Sequence, residues 1–270
     1  MEEQLDSSGN LLANLSGYYG KLPLRGDFIQ RNLDPEFIQH WDQWLQNVIG
    51  TSRDTLGEQW LNYYLVSPIW HFYLHNEAGE IYYGVMLPSV DKVGRYFPFS
   101  IMNSATPEMN AAEFILSQQH WFELAENLAL QALEEKISFE QLNLCIDELH
   151  KKTTTNNPEP TVPIKSFRIP LNGQADLNNA FGQLRQVLPS STTQVYSYWW
   201  TTGNEHIEGN LICCDKMPDD NMYTAMLDGQ WDLCHIQTFP QSPTNTHNET
   251  NSLSNSLPTN TLPDNLDKFL

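Results

Sequence analysis

The spacing of apolar residues first predicts two helices in the N-terminal third of the chain. Asp34 is suited to cap a helix, Pro35 to occupy its first position and Glu36 to face the positive end of its dipole. Apolar residues follow at helical spacing until Gly50, where the pattern predicts the end of the helix. A second helix is predicted over residues 52–65.

The spacing then changes to an alternation typical of β-strands. Residues 69–74 alternate around Trp70, Phe72 and Leu74, a turn-forming segment follows at 75–79, and residues 81–87 return as a second strand. This pattern predicts a β-hairpin with a five-residue loop. A third strand is predicted over residues 96–102.

The remaining segments predict further helices and strands. A long amphipathic helix is expected over residues 107–136, and Ser138 with Gln141 forms a capping box for another helix that ends at Leu149. Adjacent Trp199 and Trp200 lie on a predicted strand, so their side chains should point to opposite faces. The other predicted elements are helices at 176–188 and 218–227 and strands at 194–200, 210–214 and 233–238.

The same patterns suggest one central domain flanked by polar ends. Residues 1–16 are expected to be a disordered acidic leader and residues 17–239 the folded domain, with a possible surface loop at 151–163. In the segment 240–270, 20 of 31 residues are Ser, Thr, Asn, Gln or Pro. Such a composition buries too little apolar surface to fold alone, so a disordered tail is expected.

Charge narrows the possible functions. The chain has 14 Lys and Arg against 33 Asp and Glu, a net charge of −19. This balance argues against a nucleic-acid-binding protein and against docking to anionic lipid. The N-terminus lacks the features of a secretory signal, and no apolar run is long enough to cross a membrane, which predicts a cytoplasmic protein.

The four cysteines are predicted to be reduced core thiols rather than metal ligands. They are Cys145, Cys213, Cys214 and Cys234, and none forms a C-x-x-C pair. Cys213 and Cys214 should point to opposite faces of a strand. No cofactor and no metal site are expected.

Two segments rich in Gly and Pro collect most of the positive charge in the first half. They span residues 20–28 and 87–98, and five of the seven basic residues among the first 150 lie in or beside them. One hypothesis is that the segments meet and form a partner-binding or anion-binding face. Its candidate residues are Lys21, Arg25, Asp27, Lys92 and Arg95. The alternative is that Asp27 and Asp91 pair with these cations and lock the segments internally.

An enzymatic alternative rests on Ser89, His71 and Asp91. These residue types can form a hydrolase triad, but Ser89 lacks the strand-turn-helix motif of a nucleophile elbow. The run that ends in Gly20-Lys21-Leu22 also lacks the spacing and hydroxyl residue of a phosphate-binding loop. Catalysis is therefore the weaker hypothesis.

The motifs in these segments resemble one known family. The runs GYYGKLPLRGDFIQRNL, SPIWHFYL and GVMLPSVDKVGRYFPFSI are similar to those of the TagF (ImpM) family, encoded with bacterial type VI secretion systems. The match is close over residues 18–102 and looser to about residue 240. Besides Lys21, Asp27 and Arg95, the residues that match the family's signature are Gly20, Pro23, Gly26, Phe28, Pro88, Ser89, Asp91, Gly94, Phe97, Pro98, Trp199, Trp200, Asp228, Gly229 and Trp231.

The resemblance implies an α/β fold, a three-layer α/β/α sandwich with a largely antiparallel or mixed sheet. It also implies a non-enzymatic cytoplasmic protein that restrains assembly of the secretion apparatus after translation. The expected partners are the forkhead-associated scaffold protein or components of the membrane complex. A structural subunit of the apparatus is the alternative function.

Overall fold

The computed structural model describes residues 15–76, 79–105, 110–150, 167–171, 176–181, 196–234 and 236–238. These residues belong to one compact unit. The predicted leader and tail, and the possible loop at 151–163, lie outside the described residues. No helix among the described residues is long and apolar enough to cross a membrane.

One mixed sheet of nine strands runs through the unit, in the order β2-β1-β5-β4-β3-β7-β8-β6-β9. Neighbouring strands are antiparallel, except that β6 and β9 are parallel. The strands are β1 (Gly17–Gly20), β2 (Ile29–Arg31), β3 (Trp70–His75), β4 (Ile81–Leu87), β5 (Phe99–Ala105), β6 (Phe167–Leu171), β7 (Tyr196–Gly203), β8 (Glu208–Cys214) and β9 (Gln237–Thr238).

Helices pack against alternate side chains of these strands. They are α1 (Pro35–Leu56), α2 (Trp60–Leu65), α3 (Ala111–Ser117), α4 (Gln119–Leu133), α5 (Phe139–His150), α6 (residues 176–181) and α7 (Asp220–Asp228). Short 3-10 helices occupy Gly57–Gln59 and Trp231–Leu233.

The buried residues form two separate apolar clusters. On β3, Tyr73 belongs to the cluster that contains residues of α3, α4 and α5. Its neighbours Phe72 and Leu74 belong to the cluster that contains residues of α1, α2 and α7. Because successive strand residues point to opposite faces, helices line both faces of the sheet. The predicted α/β fold is confirmed.

Several local predictions are confirmed in detail. The side chain of Asp34 accepts a hydrogen bond from the backbone N–H of Phe37 at 2.9 Å, which caps α1. Ser138 and Gln141 exchange both hydrogen bonds of a capping box. Trp199 and Trp200 lie in different clusters, as do Cys213 and Cys214.

The predicted end of the first helix at Gly50 is wrong. Helix α1 continues to Leu56 and ends where Gly57 adopts a positive φ of 54°. A glycine inside a helix costs only about 1 kcal/mol, and the buried face of α1 continues past Gly50 to Ser52, whose hydroxyl accepts a hydrogen bond from Trp60 Nε1. The second predicted helix is accordingly shorter, since α2 begins only at Trp60.

Other boundaries also differ from the predictions. The long helix predicted over 107–136 is two helices, because Gln118 leaves helical geometry between α3 and α4. The third predicted strand starts at Phe99 rather than at residue 96, and Tyr96 makes only an isolated bridge to Val90. The last predicted strand is reduced to two residues, and the pattern missed the short strands β1, β2 and β6.

Candidate protein-binding surface

The two segments rich in Gly and Pro lie side by side, as the first hypothesis requires. We call residues 20–28 loop 1 and residues 87–98 loop 2. Loop 1 connects β1 to β2, and loop 2 connects β4 to β5, which is hydrogen-bonded to β1. The backbone N–H of Lys92 donates to the carbonyl of Arg25 at 2.9 Å. The Ser89 hydroxyl donates to the carbonyl of Lys21 at 2.7 Å.

Close packing of the backbone requires a glycine at the start of loop 1. Gly20 has a φ of +132°, a conformation that side-chain-bearing residues rarely adopt. A Cβ atom at this position would overlap the carbonyl oxygen of Pro98. Gly20 therefore allows loop 1 to approach the end of loop 2.

Asp91 connects both loops at their centre. Its side chain is fully buried, and one oxygen accepts from Lys21 Nζ at 3.0 Å and from Arg95 Nε at 2.6 Å. The other oxygen accepts from the backbone N–H groups of Val93 and Arg95. Burial acts to raise the pKa of Asp91, but these hydrogen bonds outweigh it and hold the pKa well below its usual range.

Tyr64 secures loop 2 from the helical side, and sequence analysis did not identify this role. Its hydroxyl accepts from the backbone N–H of Ser89 and donates to the carbonyl of the same residue, both at 3.0 Å. Burial raises the pKa of the Tyr64 phenol well above its usual value. The apolar spacing predicted that Tyr64 faces inward, but no motif could reveal a contact with a residue 25 positions away.

We call Lys21, Tyr64, Ser89 and Asp91 the buried floor of the two loops. Lys21 is only 5% exposed, so its charge is used inside the protein, as the internal-pairing alternative proposed. Arg95 shares this role in part. It binds Asp91 and donates to the carbonyl of Gly26, although more than half of its side chain is exposed.

Five other side chains of the loops are exposed, and we call them the rim: Arg25, Asp27, Phe28, Lys92 and Val93. Phe28 packs against Phe97 and Tyr19, with ring centroids 4.8 and 5.7 Å apart, yet it stays 46% exposed. Val93 is 67% exposed. Exposed apolar side chains that form a contiguous patch are typical of protein-binding surfaces.

The two cations of the rim differ in their surroundings. The Arg25 guanidinium lies over the ring of Phe139 on α5, 4.1 Å from its centroid. The side chain of Lys92 is exposed and forms no ion pair with any carboxylate among the described residues. Asp27 is fully exposed and lies 3.9 Å from Arg95, which is only a weak contact.

The signature residues of the C-terminal half belong to other parts of the fold. Trp199 packs against Trp41 and Phe72 in one apolar cluster.

Three other signature residues of this half lie at or just after the end of α7. Gly229 ends α7 in a left-handed conformation, and Asp228 accepts from the backbone N–H of Gln230. Burial raises the pKa of Asp228. Trp231 lies beside the Arg168 guanidinium, with 5.1 Å between the cation and the ring centroid.

The residues of the enzymatic alternative are engaged in separate interactions. Ser89 donates its hydroxyl proton to the Lys21 carbonyl, and Asp91 is occupied by Lys21 and Arg95. His71 Nε2 lies 3.0 Å from a carboxylate oxygen of Glu126, and its ring stacks on Trp200. A Ser89–His71–Asp91 triad is therefore not assembled.

The cysteines fit the core prediction only in part. Cys213, Cys214 and Cys234 are buried, and burial raises the pKa of each thiol. Cys145 is exposed on α5, so the prediction is wrong for this residue. Among the described residues, no group of His, Cys, Asp and Glu is arranged to hold a metal ion.

The fold and the loops define a class: an α/β protein whose signature motifs build a rigid, partly apolar surface. Residues 17–149 match the family model of the TagF N-terminal domain, described as Type VI secretion system-associated. This match, over just under half of the chain, confirms the predicted resemblance to the TagF family and supports a type VI secretion accessory role.

A solved structure supports the same assignment. The chain is similar to PA0076 from Pseudomonas aeruginosa PAO1, known from a crystal structure at 2.05 Å resolution. The two share 28% sequence identity with a TM-score of 0.67, over 84% of this chain and 100% of that one. Comparison with curated proteins gives no match.

Proposed function

We propose that this protein is a cytoplasmic, non-enzymatic regulator that restrains the type VI secretion apparatus by binding one of its components after translation. The proposed partner is the forkhead-associated scaffold protein, and the proposed contact is the exposed rim of the two loops. The observation that carries the proposal is that buried residues hold the backbone of this rim in place. Phe28 and Val93 are held in solvent by backbone that Asp91, Lys21 and Tyr64 fix from below.

The composition of the rim indicates the chemistry of the partner. The apolar groups supply a contact that excludes water, and exposed Lys92 and Arg25 flank them. An acidic or phosphorylated protein surface would pair with these cations. The chain as a whole carries a net charge of −19. An acidic partner would therefore be repelled by most of the surface and attracted to the cationic rim.

A binding assay with the purified scaffold protein tests the rim. We expect Val93→Asp to weaken binding by about tenfold or more, because it places a carboxylate at the apolar centre of the contact. Leu233→Asp is a matched control, since Leu233 is 68% exposed and lies in the 3-10 helix just before β9, at the opposite edge of the sheet from β1 and β2. Equal binding by both variants, with native circular dichroism, would remove the rim from the proposal.

Deletion of the gene distinguishes regulation from a structural role. Loss of a regulator that restrains assembly should raise secretion of a reporter effector, whereas loss of a structural subunit should abolish it. Complementation with Val93→Asp should reproduce the deletion phenotype if the rim is the regulatory contact. Complementation with Leu233→Asp should restore the wild-type level.

A further inference from the structure

A second surface feature lies beside the turn of the hairpin β3–β4, at the start of α1. It is a cavity of about 490 Å³, a volume within the usual range of ligand pockets. Its wall is mainly apolar and includes Trp41, Phe37 and Tyr82, and the last two rings stack with 3.6 Å between their centroids. His40, Asn76, Leu74 and Met217 complete the lining.

Three carboxylates lie at this aromatic wall. Asp34 and Glu36 come from the start of α1, and Glu80 comes from the hairpin. No lysine or arginine is among the described residues that line the cavity. The helix N-terminus contributes about half a positive charge, which three carboxylates exceed several times.

All three carboxylates act electrostatically on the hydroxyl of Tyr82, which also lines the cavity. Burial is the main reason that the pKa of Tyr82 is raised, and Glu80, Asp34 and Glu36 each raise it further. The Tyr82 hydroxyl also lies 3.4 Å from a Glu80 oxygen. Because all three residues line the cavity, a positive group inside it would be attracted by each of the three carboxylates.

We propose that this cavity binds an arginine side chain of a basic segment in a partner protein. A planar guanidinium stacks on aromatic rings and binds carboxylates in two-pronged geometry, which suits this combination better than an ammonium group. This site is separate from the rim and takes a partner surface of the opposite charge. The inference does not depend on the scaffold protein being the partner of the rim.

Titration of the full chain with short blocked peptides, followed by heteronuclear NMR, tests the site. Acetyl-Gly-Arg-Gly-amide should shift the backbone signals of Glu36, His40 and Tyr82, with saturation in the range of about 1 mM. The same peptide with citrulline, which keeps the shape and lacks the charge, should bind at least about tenfold more weakly. Equal binding of both peptides would overturn the proposal.

Matched charge variants locate the interaction. Glu36→Gln combined with Glu80→Gln should weaken arginine-peptide binding about tenfold, because two partners of the guanidinium lose their charge. Glu58→Gln combined with Glu123→Gln changes the net charge equally at exposed positions that do not line this cavity, so binding should persist. The assignment would be overturned if spermidine bound and the arginine peptide did not. It would also be overturned if both double variants lost peptide binding equally. Because the rim variant Val93→Asp should bind the peptide normally, the two proposals can fail independently.

Discussion

The buried floor and the exposed rim of the two loops use the same residue types for different purposes. Lys21 and Lys92 are both lysines in the signature segments, yet one is 5% exposed and paired with Asp91, while the other faces solvent. Asp91 and Asp27 differ in the same way. Residue type alone therefore does not separate the buried, paired charges from the exposed ones.

This difference explains how an acidic protein can present a defined cationic surface. The floor fixes the backbone of both loops through a central carboxylate and the Tyr64 hydroxyl. Because the loops are already ordered by the floor, binding at the rim does not have to order them. This reduces the entropy cost of association. Substitutions in the floor should change stability, whereas those in the rim should mainly change binding.

The largest effect is expected at Gly20, where the two loops approach most closely. Gly20→Ala should lower the free energy of unfolding by about 3 kcal/mol or more, because it adds both backbone strain and overlap with Pro98. Gly26→Ala is the control in the same loop, because a Cβ there meets nothing within 4 Å. Urea unfolding measures both, and similar midpoints would contradict the inferred close approach.

A smaller, pH-dependent effect is expected at Asp91. Asp91→Asn leaves the buried Lys21 without its countercharge, so the variant should be less stable than the wild type at pH 7. Because the folded-state pKa of Asp91 is depressed, its contribution is complete above the ordinary value of about 3.9 and is lost as the pH falls further.

The stability difference between wild type and Asp91→Asn should therefore shrink as the pH falls from about 5 towards 1, because the carboxylate of the unfolded chain becomes protonated there while that of the folded protein stays ionised until its depressed pKa is reached. Urea midpoints across this range measure it. Asp27→Asn, in the exposed rim, should show almost no difference at any pH. A constant difference for Asp91→Asn would indicate that packing, rather than charge, stabilises the floor.

The smallest effect is expected at Arg25, which belongs to the rim but also contacts α5. Arg25→Ala removes the contact with Phe139 and should cost about 0.5–1 kcal/mol of stability. Arg25→Lys keeps the charge and should recover most of any partner binding but only part of the stability. Thermal unfolding measures the effect on stability, and the scaffold-binding assay measures the effect on binding. Unchanged stability in Arg25→Ala would mean that Arg25 contributes to the rim alone.

Local patterns predicted much of the fold where neighbouring residues decide the conformation. The cap at Asp34, the capping box at Ser138 and the opposite directions of Trp199 and Trp200 are all local properties. Gly50 was misinterpreted because packing of the helix face outweighs one unfavourable residue. The short strands β1 and β6 were missed because their hydrogen bonds come from distant segments.

The sequence by itself determined which segments carry the family motifs and that they concentrate positive charge in an acidic chain. Only the tertiary structure decided which of those charges remain available to a partner. Lys21 and Asp91 are 70 positions apart, and their pairing depends on the sheet bringing β1 beside β5. Burial of an ion pair depends on such long-range packing, so no local pattern could distinguish Lys21 from Lys92.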